Sequence, residues 1–496
     1  MMNALRLLFF FLFVCQGSAY VFSQHVDAAT PIRLAVEKIA AREGMKHAAW
    51  GFVLMEAKTG AVIYQHNPDL GLVPASILKL AVTYPAWTSL GPDFHFTTRL
   101  QVDAGVSAGF LKGNLYIKGD GDPSLGASRF SASKPDSLFR RWGRVLQKAG
   151  ISEIGGGVIG DADVFEDDII PGEWLWNDIG NYYGSGACGL NFHENSLDLV
   201  FNPGDKEGAP ARLTKLDPML HGLEFDNQVA TGKRGSGDQV VIYGAPFSAS
   251  RLLRGTVPLG ENDFIVKGSF PDPALAASQL LEQYLKSSDI VVQQEAASTR
   301  QLRNRAVRVS QSRTNLDSVS SPPLSDIIQA IHYKSINTYA EALVKKMGQK
   351  MRNNPTTTGG LDFVLDFWKQ RGLDVRGISM YDGSGLSPLN RISTKQMAGM
   401  MRIMVNDKNA GEYLKTLSVA GKSGDLKAIL TERPAMGNLR GKSGYTKSVR
   451  SYCGTFNDTK GRALVFAVIV NNYDGESPAL RKMLEDLMLE ISRSGE

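Results

Sequence analysis

The clearest hydrophobic pattern lies near the N-terminus. Trp50-Gly51-Phe52-Val53-Leu54-Met55 and Ala61-Val62-Ile63-Tyr64 flank Lys58-Thr59-Gly60. Two apolar runs about a glycine turn predict a β-hairpin. Pro74 and Ala75 then lead into Ser76-Ile77-Leu78-Lys79-Leu80-Ala81-Val82. That run has almost no polar face, so it predicts a buried helix entered at a proline. The C-terminal end has a related pattern. Residues 463–470 form a near-continuous apolar strand, and Ser477 can then cap a helix with Pro478 at its first position. Leu480, Met483, Leu484, Leu487, Met488 and Ile491 recur at helical spacing on one face. The opposite face mixes acids with bases, which favours a helix packed on the preceding strand over one lying on a membrane.

Between these ends a helix precedes a short strand three times. Residues 138–149 precede 150–154, 276–285 precede 289–292, and 361–370 precede 372–375. No fixed period links them, so the pattern predicts α/β layering rather than a repeat array. Residues 200–265 are richer in glycine, proline and short strands, and residues 318–323 read as a linker.

Composition changes this picture little. The 496 residues are 43% hydrophobic and 21% charged, ordinary for a globular protein of more than one domain. The net charge of +5 is small, no run of five like charges occurs, and nucleic acid is not expected as a partner. The first residues matter more. Arg6, the apolar residues 7–15 and Gly17-Ser18-Ala19 have the order of a secretory signal peptide. Residues 1–23 are therefore expected to be removed, after Ala19 or Ser23, from a protein exported to the periplasm or cell envelope. The bulky Val14 before Cys15 argues against lipoprotein processing. The apolar run is too short to span a bilayer, and no second one is longer, so the protein is expected to be soluble or loosely membrane-associated. Cys188 and Cys453 then remain, read as buried thiols, with pairing left open. None of the seven histidines has zinc-ligand spacing, and no phosphate-cradling glycine turn occurs. No metal and no cofactor are expected.

The chemistry gathers around Ser76. Ser76 and Lys79 are three residues apart on one helical face, where the amine can reach the hydroxyl. A nucleophilic serine needs such a base. Lys79 is also a charge in an apolar helix, which requires a reason. Ser335-Ile336-Asn337 lies between two helical patterns, and its hydroxyl and amide suit proton relay and substrate holding. Helix capping is the plainer alternative. A Lys-Ser/Thr-Gly triplet occurs three times. Lys58-Thr59-Gly60 sits in the first hairpin turn, and Lys422-Ser423-Gly424 has no clear strand. Lys442-Ser443-Gly444-Tyr445 enters a second hairpin with residues 451–456. A glycine on that strand lets a substrate backbone approach, and Lys442 with Ser443 can bind a carboxylate. The other two copies are read as surface turns.

The order Ser-x-x-Lys, Ser-x-Asn, Lys-Ser/Thr-Gly is the motif set of the serine penicillin-recognising enzymes. Residues 381–387, 337–341, 119–125 and 174–178 narrow the match. Over most of its mature length the chain resembles the class C low-molecular-mass penicillin-binding proteins, the D-Ala-D-Ala carboxypeptidase/endopeptidase family. Ser443 departs mildly, since threonine is commoner there.

The resemblance implies an α/β (α+β) multidomain fold with a penicillin-binding/β-lactamase-like transpeptidase domain, an antiparallel sheet covered by helices. About 255 residues separate Lys79 from Ser335, room for insertions. The expected division assigns residues 30–94 and 318–496 to the transpeptidase-like domain. Residues 95–199 and 266–317 form an inserted domain, and residues 200–265 a smaller β-rich domain nested in it. The implied function is a serine D-alanyl-D-alanine carboxypeptidase, with endopeptidase activity open, acting on peptidoglycan stem peptides and acylated by β-lactams. Ser76, Lys79, Ser335 and Asn337 are the expected catalytic set, and Lys442, Ser443, Gly444 and Tyr445 the expected substrate strand. The resemblance further implies an oxyanion hole from the N–H groups of Ser76 and Tyr445. It also implies that Asp178 reads the free amine of diaminopimelate, and Tyr183, five residues on, can supply an apolar wall; the plainer alternative is that Asp178 caps a turn and that Trp174 and Trp176 pack between domains. The alternatives are a β-lactamase-like serine hydrolase and a non-catalytic wall-binding protein on the same fold.

Overall fold

The structure is a computed structural model that describes residues 29–431 and 435–493. The expected signal peptide lies outside the described residues.

Both ends of the chain build one six-stranded antiparallel sheet. Its spatial order is Ser418–Val419, Arg440–Thr446, Val449–Asn457, Ala463–Asn471, Ala49–Glu56, Val62–His66. The predicted first hairpin and C-terminal strand are all present in it. The Ala463–Asn471 strand is apolar throughout because both faces of the sheet are covered. Alternate residues divide between two cores. Val53, Val465, Ala467 and Ile469 pack with the helices Lys79–Leu90, Leu324–Lys334, Asn337–Arg352, Thr357–Gln370 and Thr394–Asn406. Phe52, Leu54, Phe466 and Val468 face the helices Ala29–Ala40 and Ser477–Arg493 on the other side. Leu480, Leu484, Leu487, Met488 and Ile491 are buried in that second core, as the packed-helix reading requires.

Residues 97–320 hold the other sheets. One has the order Ala297–Ser298, Val158–Asp161, Leu115–Lys118, Thr97–Val102, Thr314–Ser320. The helices Pro135–Lys148 and Pro273–Ser287 contribute to the core beside it. Two three-stranded sheets lie within residues 196–269, sharing one small core. Two expectations need correction. Residues 318–320 are not linker: they end the strand Thr314–Ser320, which pairs with Thr97–Val102. Residues 372–375 are not a strand. They turn away after the helix Thr357–Gln370, with Gly372 at φ +81°. The apolar Leu373 and Val375 gave the strand signal because they pack partly onto the core.

Cys188 and Cys453 are free and buried, so the open question of pairing closes against a disulfide. Among the described residues no helix is long and apolar enough to cross a membrane.

Candidate active site

Ser76 stands at the seam between the sheet and the helical layer. A short 3-10 turn, Ala75–Leu78, runs directly into the helix Lys79–Leu90. That helix is buried on nearly every side, as expected for a segment without a polar face. Pro85 inside it removes an N–H, and the freed Ala81 carbonyl accepts a hydrogen bond from Trp368 Nε1 at 2.8 Å. The chain before Ser76 is fixed to the sheet. Asn471 Oδ1 accepts from Val73 N–H at 2.8 Å, its Nδ2 donates to Val73 O at 3.0 Å, and the Ser451 hydroxyl donates to Pro74 O at 2.5 Å.

Ala75 has a left-handed backbone, φ +51°, a conformation that costs an alanine about 1 kcal/mol. Two glycines make room around this turn. A Cβ on Gly385 would lie 2.0 Å from Ala75 O, and one on Gly444 would lie 3.0 Å from Ser76 N. Gly444 thus lets the Arg440–Thr446 strand pass directly beside the Ser76 backbone.

Lys79 is fully buried, and its Nζ has three partners: Ser76 Oγ at 2.9 Å, Asn337 Oδ1 at 2.7 Å and Ser384 O at 2.7 Å. Burial is the largest cause that lowers its pKa to about 7, followed by the nearby Lys442 cation; Asp382, Glu341 and Asp425 oppose the shift. A lysine near neutrality can exist as the free amine a general base needs.

The loop that supplies the Ser384 carbonyl is held by two buried acids. Glu341 accepts from the N–H groups of Gly383 and Ser384. Asp382 accepts from Gly385 N–H, Ser387 N–H and Asn390 Nδ2, and from Trp174 Nε1 at 2.8 Å. Trp174 lies among residues 97–320, so this bond ties that part of the chain to the loop under Lys79. A second tie runs from Asn337 Nδ2 to Tyr183 O at 2.8 Å.

The predicted residues are brought together unevenly. Ser76, Lys79 and Asn337 form one hydrogen-bonded group. Asn337 opens the helix Asn337–Arg352 without capping it, and Ser335 precedes that helix with φ +57°. Among the described residues no hydrogen bond joins the Ser335 hydroxyl to Ser76, Lys79 or Asn337. Lys442 is buried on the strand beside Ser76, whereas Lys58 and Lys422 are exposed. Tyr445 is exposed, with the Arg450 guanidinium 4.3 Å from its ring centre. Asp178 is half-buried in the one-turn helix Trp176–Ile179 and accepts from the Tyr183 hydroxyl at 3.3 Å.

Sequence reasoning missed Asp425. Its Oδ2 accepts from Lys442 Nζ, from Ser443 Oγ at 2.6 Å and from Ser443 N–H at 3.1 Å. It follows the Lys422-Ser423-Gly424 triplet read as a surface turn. Only the pairing of Ser418–Val419 with Arg440–Thr446 brings it to Lys442.

The contrast among the three triplets gives a prediction. Lys442→Ala should slow acylation by a carboxylate-bearing penicillin roughly thirtyfold, about 2 kcal/mol for one lost charged hydrogen bond. Lys58→Ala and Lys422→Ala should leave it within about twofold, because exposed lysines contribute little. Second-order acylation rates for the three proteins check this; equal damage from Lys422→Ala would reverse the choice.

The family model for D-Ala-D-Ala carboxypeptidase 3 (S13) matches residues 32–490. The chain belongs to this S13 family. Membership makes it a serine-type D-Ala-D-Ala carboxypeptidase. The S13 chain is 25% identical over 460 residues to a D-alanyl-D-alanine carboxypeptidase of Actinomadura sp. (strain R39), covering 90% of this chain and 82% of the relative. It is 22% identical over 432 residues to D-alanyl-D-alanine carboxypeptidase DacB of Haemophilus influenzae, covering 85% of each. The crystal structure of penicillin binding protein 4 from Haemophilus influenzae superposes with a TM-score of 0.79 at 20% identity, over 93% of this chain and 99% of that one. A second structure of that protein, in complex with a β-lactam, gives 0.75 at 19% identity, with the same coverage. The penicillin-binding fold expected from the motifs is the fold observed.

Proposed function

We propose that this S13 enzyme cleaves peptidoglycan stem peptides at their terminal D-Ala–D-Ala bond through an ester on Ser76. The observation that carries the assignment is the hydrogen-bonded group of Ser76, Lys79 and Asn337. It places a serine hydroxyl on a buried amine whose pKa is lowered to about 7.

In this reading neutral Lys79 Nζ takes the Ser76 proton as Oγ attacks the scissile carbonyl. The N–H groups of Ser76 and Tyr445 hold the resulting oxyanion, and the absence of a side chain at Gly444 leaves the approach open. Asn337 holds the substrate amide. The C–N bond breaks, and the departing D-Ala amine receives its proton through Ser335. Lys442 and Ser443 bind the terminal carboxylate. Water then attacks the ester, its proton passing to Lys79, and Ser76 is restored. A β-lactam opens on the same oxygen, but its leaving group stays attached, so hydrolysis is slow.

The envelope outside the cytoplasmic membrane is the proposed compartment, supported by the signal-like order of residues 6–19. The proposed catalytic domain is the six-stranded sheet with its helices. The proposed inserted domain ends with the strand Thr314–Ser320, and the nested one is bounded by the strands Ser196–Asn202 and Phe264–Ser269. Intact mass after incubation with penicillin, followed by product analysis on a wall pentapeptide, tests the reading. One covalent penicillin and release of D-Ala are expected. Rapid turnover of a chromogenic cephalosporin would favour a β-lactamase, and absence of any adduct a non-catalytic protein.

Asp178 is proposed to select the substrate side chain. Burial raises its pKa, the Tyr183 hydroxyl opposes the shift, and among the described residues no cation pairs with it. A half-buried carboxylate without a cation suits the free amine of a diaminopimelate residue. Tyr183 connects it to Asn337 and offers a wall for the methylene chain. Asp178→Asn should lower kcat/KM for amine-bearing peptides by roughly tenfold, about 1.4 kcal/mol, and leave penicillin acylation nearly unchanged. Equal loss on peptides with and without the amine would make Asp178 a purely structural residue.

A further inference from the structure

Asp425 carries chemistry that the acyl-transfer reading leaves unused. It stands in the 3-10 turn Gly424–Leu426, where Gly424 has φ +63° and a Cβ would strike Ser418 Oγ. The turn is fixed: Asp425 N–H donates to Ser418 Oγ at 3.1 Å, and that hydroxyl lies 3.1 Å from His332 O as its donor. A defined piece of backbone, not a loose side chain, therefore delivers the carboxylate.

What it meets is the donor set assigned above to the substrate's terminal carboxylate. Lys442 Nζ, the Ser443 hydroxyl and the Ser443 N–H all converge on one oxygen, Asp425 Oδ2. The other oxygen, Oδ1, is buried without a hydrogen-bond partner among the described residues. A structural carboxylate would be expected to divide three donors between its two oxygens, since a buried unpaired oxygen costs stability. A side-chain carboxylate and a peptide's α-carboxylate are the same chemical group, so the subsite is already filled from within the chain. The Lys442 side chain is fully buried and Asp425 is 15% exposed, so water screens the pair poorly. One cation does not neutralise two carboxylates, and like charges in such a site repel.

We propose that Asp425 is a specificity-determining residue. It competes with the α-carboxylate of the leaving residue for Lys442 and Ser443. It thereby narrows the advantage of peptides ending in a free carboxylate over those whose leaving residue is amidated or extended. The proposal rests on the acyl-transfer reading of Ser76. It also distinguishes this cleft from one whose lysine waits unpaired for an anion.

The experiment compares two wall peptides that differ only at the last group, D-Ala-D-Ala carboxylate against D-Ala-D-Ala carboxamide. In Asp425→Asn the ratio of kcat/KM, carboxylate over carboxamide, should rise at least about tenfold, through a gain on the carboxylate peptide. A smaller rise, or a fall, overturns the proposal and leaves Asp425 as a brace for Lys442. Should Asp425→Asn not fold, the wild-type enzyme decides alone. It should use the two peptides within about tenfold of each other, and a larger preference for the free carboxylate overturns the proposal. Penicillin labelling of the wild-type protein separates the two claims. With the label present the ratio judges Asp425 by itself; with the label absent both readings fall.

Discussion

Ser76→Ala should give a folded protein whose intact mass does not change with penicillin. The substitution removes one oxygen, and that oxygen's hydrogen bond is to Lys79 Nζ at 2.9 Å. Lys79 keeps Asn337 Oδ1 and Ser384 O as partners, so no buried charge is stranded. Alanine also fits the 3-10 turn, whose neighbour Ala75 already holds the unusual backbone. The stability cost should stay within about 1 kcal/mol. The chemical cost is of another order. Losing a catalytic serine outright has been worth about 10^6-fold in turnover in a well-dissected serine hydrolase, and residual rate there came from binding and the oxyanion hole. An adduct on Ser76→Ala, located by peptide mapping, would move the nucleophile elsewhere and remove the basis of the proposed mechanism. Circular dichroism of the same sample separates lost chemistry from lost fold.

The local parts of this site were legible because they are written in short spacings. Ser76 and Lys79 are neighbours on one turn, and the hairpins at both ends show as apolar runs about glycines. The alternation that sends Phe52 to one core and Val53 to the other needs no distant information. The motif order, together with residues 381–387 and 174–178, carried the fold and the family. The sequence gives no comparable sign of what acts across long separations. The Ser384 carbonyl reaches Lys79 only because Glu341 and Asp382 fix its loop, and no side-chain pattern marks a carbonyl as functional. Asn471 and Ser451 hold the chain before Ser76 from 377 or more residues away. Asp425 was hidden for the same reason: its partner Lys442 lies across a strand pairing, and the nearer triplet resembled an exposed turn. The errors at residues 318–320 and 372–375 share one cause. A short apolar or small-residue stretch does not say whether a partner strand lies beside it. Thr97–Val102 lies beside the first, whereas the second rests on a core without pairing.

Lys79→Ala should slow acylation by roughly 10^3-fold, the middle of the range for losing a general base. The wild-type pH profile should say why. As the proposed base Lys79 works only as the free amine, and burial with the Lys442 cation brings its pKa down to about 7. The reactive fraction therefore grows as pH rises through 7 and levels off above it. At two units below the midpoint about one molecule in a hundred holds the free amine, so acylation near pH 5 should be roughly a hundredfold below the plateau. The sign follows from the cause: burial disfavours the charged form, so the proton leaves earlier than from a lysine in water. The neighbouring cation supplies an internal control. Lys442→Ala removes a positive charge that also repels the Lys79 proton, so the midpoint should move to higher pH, toward the ordinary lysine value. Lys422→Ala, exposed and remote in role, should leave it in place. The measurement is the rate of penicillin acylation by stopped mass analysis from pH 5 to pH 9. A wild-type rate flat across that span, or a Lys442→Ala midpoint displaced downward, would contradict the role of Lys79 as the base.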